Sequence, residues 1–173
     1  HATLAAIKRR SKERLAALIA RADAAGLASQ RAGLVGGLQG RVVEIGCGTG
    51  AMFAHYRGVD RVTAVEPDAA FAERAKQAAA AAAVPIDVVD GSGEALPLDD
   101  RSADAALLAL VLCSVPSVDA ICREVARVVR PGGSVRLIEH VRSPRRVAGA
   151  LMDVVNPVWL RLNGQGCRLN RDP

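Results

Sequence analysis

The sequence predicts an α/β fold, a mostly parallel sheet with helices on both faces, and three observations carry that expectation. From residue 41 onward, short apolar runs of strand length alternate with segments of helix length, the order produced by strands joined through crossover helices. One run, residues 105–112, is apolar throughout, as a central strand covered on both faces must be. The first run empties into the glycine-rich turn Gly46-Cys47-Gly48-Thr49-Gly50, at the carboxyl end of a strand, where open α/β sheets bind their ligands.

Element by element, residues 3–25 read as an amphipathic helix. Leu4, Ile7, Leu15, Leu18 and Ile19 recur at helical spacing among Lys8, Arg9, Arg10, Lys12 and Arg14, and Gly26 is its expected stop. Gly33, Gly36, Gly37 and Gly40 then loosen the chain. Residues 41–45 are the first strand and 51–56 a short helix. Residues 61–65 are the second strand, closing on Glu66-Pro67. Asp68 is placed to cap a helix running from Ala69 to about Ala83, ahead of Pro85. Residues 86–89 and 105–112 are the third and fourth strands. Ser117 caps a helix through Arg130 that Pro131-Gly132-Gly133 ends, and 134–141 is the fifth strand. A last helix over 145–155 is expected to break or kink at Asn156-Pro157.

The 173 residues fit a single domain: an N-terminal helix within 1–30, a ligand-binding core over 41–141, and a C-terminal segment over 142–173. Half the residues are apolar, enough for a core, but only 2% are aromatic. The Ala and Arg bias reads as that of a GC-rich bacterial genome. The net charge of +5 is uneven: residues 1–31 carry seven Lys and Arg against Glu13 and Asp23, and the middle of the chain is acidic. A basic arm can meet nucleic acid or anionic lipid, but so few aromatics argue against a single-strand stacking platform, and basic faces of solvated helices account for the charge. Nucleic acid is therefore not an expected partner.

Cys47, Cys113, Cys122 and Cys167 form no CxxC pair and have no His at ligand spacing, so no metal site is expected. Reduced, mostly buried thiols suit a cytoplasmic protein. No run reaches the ~20 apolar residues of a membrane span. Peripheral contact with a membrane surface stays open.

The chemistry concentrates at the strand ends. Three glycines at alternate positions let the backbone turn sharply and approach a ligand. A dinucleotide fold wants G-x-G-x-x-G; here the spacing is G-x-G-x-G, with Glu44 two residues before Gly46, which disfavours a dehydrogenase. Glu66 ends the second strand 20 residues after Gly46, where a carboxylate can accept hydrogen bonds from both hydroxyls of a ribose. Residues 110–115 follow the fourth strand and are placed to floor the reacting site.

The pattern E/D-x-G-x-G-x-G resembles motif I of class I S-adenosylmethionine (SAM)-dependent methyltransferases, whose sheet is Rossmann-like. The resemblance implies SAM as cofactor and S-adenosylhomocysteine as product, with Glu44, Gly46, Cys47, Gly48, Gly50, Glu66 and Pro67 around the aminoacyl and ribose moieties. Asp90-Gly91-Ser92-Gly93-Glu94-Ala95-Leu96-Pro97-Leu98 is similar to the family's G-D-A-E-x-L-P-F stretch. It implies Ser92, Gly93 and Glu94 near the adenine, with Ser92 standing where the family has Asp and Glu94 or Asp90 as substitutes. Leu110 and Val111 complete the cofactor site. Leu110–Val115, Glu139-His140-Val141, Asn156-Pro157-Val158-Trp159 and Gly166-Cys167-Arg168-Leu169-Asn170-Arg171-Asp172 resemble the methyltransferase-like thiol S-methyltransferases. That likeness implies a small thiol as acceptor, with Cys113, Ser114 and Trp159 around it and residues 142–173 on the substrate side.

Methyl transfer needs alignment and exclusion of water more than acid–base power, and a thiol of pKa ~8.5 ionises with modest help. His140 is the histidine placed to act as base, or else a hydrogen-bonded strand-end residue. Cys113 reads as pocket wall, with no base or activating charge beside it in the sequence. Trp159 caps the acceptor or anchors a helix. Other acceptors on the same fold are a quinone-precursor carbon, an oxygen, a nitrogen or a lipid amine, and a SAM-binding protein without turnover is the non-enzymatic alternative. The family's sheet usually has seven strands, yet residues after Val141 do not read as two more. The C-terminal strands, and the natural start before His1, are expected to be missing from this chain. The fifth strand is then an open edge that invites a homodimer or a swapped contact.

Overall fold

The computed structural model describes residues 28–163 and 166–172 and, before them, Arg10, Arg14, Ala17, Leu18, Arg21 and Gly26. Arg10, Arg14, Ala17, Leu18 and Arg21 are helical and exposed, and the rest of the helix expected over 3–25 lies outside the described residues. Helix α1 (Ala28–Val35) occupies the stretch that the glycines were expected to loosen, with Gly33 inside it. Then follow β1 (Arg41–Ile45), a single 3-10 turn (Phe53–His55), β2 (Arg61–Glu66), α2 (Ala69–Ala79), β3 (Ile86–Asp90), β4 (Ala103–Ala109), α3 (Val118–Val128), β5 (Val129–Ile138) and α4 (Arg146–Asn163).

The five strands form one sheet in the order β3-β2-β1-β4-β5, every pair parallel. Strand alternation splits the core into two apolar layers. Val42, Val62, Ala64, Ala105 and Leu107 face Val35, Met52, Phe53, Tyr56 and Ala75, beneath α1 and α2. Val43, Ile45, Val65, Ala106 and Leu108 face Ile121, Val125 and Val128 of α3. The expected doubly wound, Rossmann-like architecture is what the chain adopts. The next strand after β1 lies to one side of it and β4 to the other, so a crevice opens where their carboxyl ends diverge, the place where such sheets hold ligands.

Both expected helix caps are present. The Asp68 carboxylate accepts from the amides of Ala70 and Phe71, and the Ser117 hydroxyl from that of Ala120. Several boundaries differ from expectation, and three of the differences have a physical reason. β4 stops at Ala109 rather than residue 112, because Leu110 turns into the left-handed region (φ 62°) while staying apolar, so the run of hydrophobic residues hid the turn. β5 begins directly at Val129, and Pro131-Gly132-Gly133 lies within it: Ala103 pairs with Val129 but Ala105 with Ser134, an outward bulge that absorbs those residues. Helix α4 runs through Pro157 to Asn163. Among the described residues no strand pairs with the outer edge of β5, and no helix is long and apolar enough to cross a membrane.

Gly50 gives a direct measure of how tightly the first turn is folded. Its φ is 82°, and a Cβ there would come within 2.7 Å of the Phe53 ring, itself fully buried. Gly50→Ala combines backbone strain with a core clash. We expect it to lower unfolding free energy by about 2–3 kcal/mol in denaturant titration, through the buried ring rather than through ligand contact.

Candidate functional site

The crevice is a cavity of about 350 Å³ at the carboxyl ends of β1, β2 and β4. Glu44, Gly46, Cys47, Gly48, Glu66 and Pro67 line one part of it, Ser92, Gly93 and Glu94 another, and Leu110, Val111, Cys113, Ser114 and His140 a third. Fourteen of the residues singled out in the sequence thus meet in one space. Gly50 and Trp159 do not line it. Gly50 sits behind the turn against Phe53, and Trp159 lies on α4 with its Nε1 buried. Asp90, the substitute considered for adenine, is exposed and outside the cavity.

The glycine turn is built on the end of β2. The amides of Gly46 and Cys47 both donate to the Val65 carbonyl, at 2.8 and 3.2 Å. Gly46 and Gly48 adopt φ of 66° and 58°, and a Cβ on Gly46 would meet Val111 at 2.9 Å, so the turn and the floor after β4 close on each other. Glu66 is buried and points into this turn. Its Oε2 accepts from the Gly48 amide at 2.8 Å and its Oε1 from the Asp68 amide at 3.0 Å. A carboxylate has about four acceptor sites, so it can take further donors from a ligand in the cavity.

Glu44 is 1% exposed and accepts from the Tyr56 hydroxyl at 2.8 Å. Burial pushes its carboxyl up to about 8, against the opposing pull of Tyr56 and of the Arg31 guanidinium. Arg31, on α1, is itself buried and lines the cavity, and burial lowers its pKa. The pocket therefore holds a cation and an acid whose charge depends on what binds between them. Sequence reading missed Arg31 and Tyr56: neither carries a local motif, and both reach Glu44 only through packing.

Glu44 also fixes a pH dependence. Its folded pKa lies well above the ordinary carboxylate value of about 4.5, so between the two the folded protein holds a proton that the unfolded chain has released. Its contribution to stability is complete below pH about 4.5 and is lost as pH rises through about 8. The melting temperature of the ligand-free protein should fall across that window, and Glu44→Gln should remove most of the slope.

On the adenine side the resemblance's residues are also tied into the fold. Ser92 Oγ accepts from the Glu94 amide at 3.2 Å, and Glu94 Oε1 accepts from the Ser117 amide at 2.7 Å, which anchors the start of α3. Glu94 is thus tied into the cavity wall through one of its two carboxylate oxygens.

The far end is shaped by a residue the sequence reading left without a role. Glu139, just past β5, accepts from the amides of Val111 and Leu112 at 2.7 and 2.9 Å and so holds the turn that begins at left-handed Leu110. Burial raises its carboxyl, and its second oxygen, Oε2, is buried with no hydrogen-bond partner among the described residues.

The expectation that Cys113 has no base or charge beside it is corrected by the fold. Cys113 Sγ lies 3.5 Å from Cys167 Sγ, and a His140 ring nitrogen lies within 4.8 Å of both sulfurs. The two sulfurs share one hydrogen bond. When Cys167 ionises, the Cys113 S–H donates to it, which brings Cys167 down to about 7 and, with burial, drives Cys113 up. Trp159 contributes a smaller pull on Cys167. Contact with Cys113 raises the pKa of His140.

Cys167 joins the site because the C-terminal segment folds back over it. The Arg168 amide donates to the Cys113 carbonyl at 2.9 Å, the Arg171 guanidinium to the Val115 carbonyl at 2.7 Å, and the Leu169 amide to Asn156 Oδ1 at 2.9 Å. Linear spacing could not show that residues 54 positions apart would touch.

Residues 43–137 match the family model described as a methyltransferase domain. The chain is 38% identical over 152 residues to the human thiol S-methyltransferase TMT1B, covering 84% of this chain and 62% of that protein. It is 36% identical over 135 residues to the rat thiol S-methyltransferase TMT1B, covering 76% of this chain and 55% of that protein. The chain thus spans little more than half the length of these relatives. Among solved structures, the YcgJ protein from Bacillus subtilis superposes with a TM-score of 0.63 at 26% identity, over 75% of this chain and 55% of that one.

Proposed function

The chain belongs to the methyltransferase-domain family, and on that premise we propose that it transfers the methyl group of SAM to a small thiol. The observation that carries this reading is the buried Glu66 carboxylate bonded to the Gly48 amide at the rim of the cavity, opposite a sulfur- and imidazole-lined end.

The residues present suit SAM. The Glu66 carboxylate and the buried Glu44 acid stand at the glycine turn: Glu66 opposes a pyrophosphate and suits ribose hydroxyls, and an ammonium group would favour the ionised form of Glu44. Glu66 would accept from the ribose hydroxyls, and Arg31 and Glu44 would take the carboxylate and ammonium of the aminoacyl part. Ser92 and Gly93 flank the adenine. SAM supplies an electrophilic methyl group on a sulfonium sulfur.

The protein's own work is then to position and to keep water out. Leu110, Val111 and the turn held by Glu139 form the floor. Cys113, Ser114 and His140 bound the acceptor end, with the 166–172 segment closed over it. A thiol acceptor gives up its proton to His140 as the sulfur approaches in line, and the cationic cofactor favours the thiolate. The thiol assignment draws on the identity to the thiol S-methyltransferases and on the soft character of this end of the cavity. The four free cysteines suit a cytoplasmic location, and the open β5 edge is where a second copy would pair in a homodimer.

Mass spectrometry with isotopically labelled SAM tests the reading. Labelled methyl should appear on the sulfur of one or more small thiols and not on matched alcohols, amines or quinone precursors. Transfer to a carbon, oxygen or nitrogen acceptor would replace the thiol assignment, and tight SAM binding with no product from any acceptor would mark a binding protein instead.

A further inference from the structure

We propose that Cys113, Cys167 and His140 form a site for a soft divalent cation of the zinc class, whose fourth coordination position opens into the cavity and receives the sulfur of the methyl acceptor. The last part rests on the thiol reading above, and it moves the task of ionising that thiol from His140 to the ion.

The geometry comes first. The two Sγ atoms and one His140 ring nitrogen all lie within 4.8 Å of one another, and the sulfurs are 3.5 Å apart. In tetrahedral zinc sites, with Zn–S about 2.3 Å and Zn–N about 2.0–2.1 Å, neighbouring ligand atoms sit roughly 3.5–3.8 Å apart. Only small side-chain movements separate this cluster from that arrangement. The three residues come from separate parts of the chain: the turn after β4, the end of β5, and the 166–172 segment. The Arg168 amide bond to the Cys113 carbonyl couples two of those backbones at the site.

The donor set decides which ion. Two thiols and an imidazole are soft to borderline ligands that favour zinc over magnesium or calcium, which take oxygen. Three protein ligands with a fourth position open is the pattern of reactive zinc, whereas structural sites close all four. All three residues line the cavity that holds the glycine turn, so an exogenous ligand can reach the ion from the cofactor side. Glu139 lies within electrostatic reach of both His140 and Cys167, and its charge favours a cation there.

The chemistry balances without another reactant. Binding displaces the protons of Cys113 and Cys167 to water as two sulfur–metal bonds form. An entering thiol loses its S–H proton to water as its own sulfur–metal bond forms, since a coordinated thiol is deprotonated outright. His140, neutral and bound through one ring nitrogen, is then a ligand rather than a base.

The test uses cobalt(II) as a spectroscopic probe on chelator-treated protein kept reduced with a phosphine. Titration should show one cobalt per chain, with tetrahedral ligand-field bands and sulfur-to-cobalt charge-transfer absorption, displaced by zinc. Cys113→Ser, Cys167→Ser and His140→Ala should each weaken binding by more than about tenfold, while Cys122→Ser, at an exposed site outside the cavity, should not. Circular dichroism confirms that each variant is folded, and Cys167→Ser, at a half-buried position, is the safest to interpret. Adding 2-mercaptoethanol should strengthen the charge-transfer absorption as a third sulfur enters. No stoichiometric binding, binding indifferent to all three substitutions, or a spectrum unmoved by saturating thiol would overturn the site. Full thiol methylation by protein that binds no cobalt would do so while leaving the proposed function standing. Conversely, a thiol-responsive cobalt spectrum supports the site even if no thiol is methylated.

Discussion

Glu66→Ala is expected to weaken binding of S-adenosylhomocysteine by about 3 kcal/mol or more, over 100-fold in Kd by calorimetry. Each ribose hydroxyl donating to a carboxylate is worth roughly 1.5–3 kcal/mol, and both are lost together. The carboxylate is also what tethers the Gly48 and Asp68 amides to one another across the cavity mouth, at 2.8 and 3.0 Å. Removing it loosens the turn as well as the ligand. Glu66→Gln keeps one carbonyl oxygen but sets an NH2 group against one of those amides, so it should fall between the wild type and Ala. Asp90→Asn provides the control: its side chain is exposed beside the same sheet edge and outside the cavity, and binding should be unchanged.

The second large effect is expected from Glu139→Ala. Two charge-assisted hydrogen bonds, to the Val111 and Leu112 amides, disappear from a turn that already carries a left-handed leucine. Other bonds also hold this stretch, among them the Leu110 amide to the Ile138 carbonyl at 2.8 Å and the Ser114 amide to the Val111 carbonyl at 2.9 Å, so the loss is set by the two amides left without their acceptor. We expect a loss of about 3 kcal/mol in unfolding free energy by denaturant titration, together with weaker cofactor binding. Glu139→Gln retains an acceptor for the two amides and should recover more than half of the loss. Equal losses in the two variants would show that the turn does not depend on that acceptor.

Much of the site was legible because its signals are local. The glycine spacing after β1, the carboxylate at the end of β2, and the caps Asp68 and Ser117 each depend on residues within a few positions of one another. The glycines bring Gly48 to Glu66, 18 residues on, because adjacent parallel strands in register carry their carboxyl ends to the same level. Where the determining contact spans the chain, the sequence was silent. Cys113 looked isolated until the segment carrying Cys167 folded back onto it. Arg31 reads as one more basic residue of the N-terminal segment, and only packing of α1 against the sheet brings it within electrostatic reach of Glu44. The end of β4 was misplaced for a different reason: Leu110, Val111 and Leu112 are as apolar as the strand before them, since they floor a pocket instead of continuing a sheet. Pro157 does not end its helix, because a proline within a long helix removes one hydrogen bond while the turns on either side continue.

The central claim is that one cavity, cornered by the glycine turn and Glu66, holds SAM. A crystal structure grown with S-adenosylhomocysteine tests it most directly. The account predicts the ribose hydroxyls on the Glu66 carboxylate, the aminoacyl end between Arg31 and Glu44, and the sulfur facing Cys113 and His140. An empty cavity at saturating ligand, or an adenosine bound elsewhere with no contact to Glu66, would contradict it.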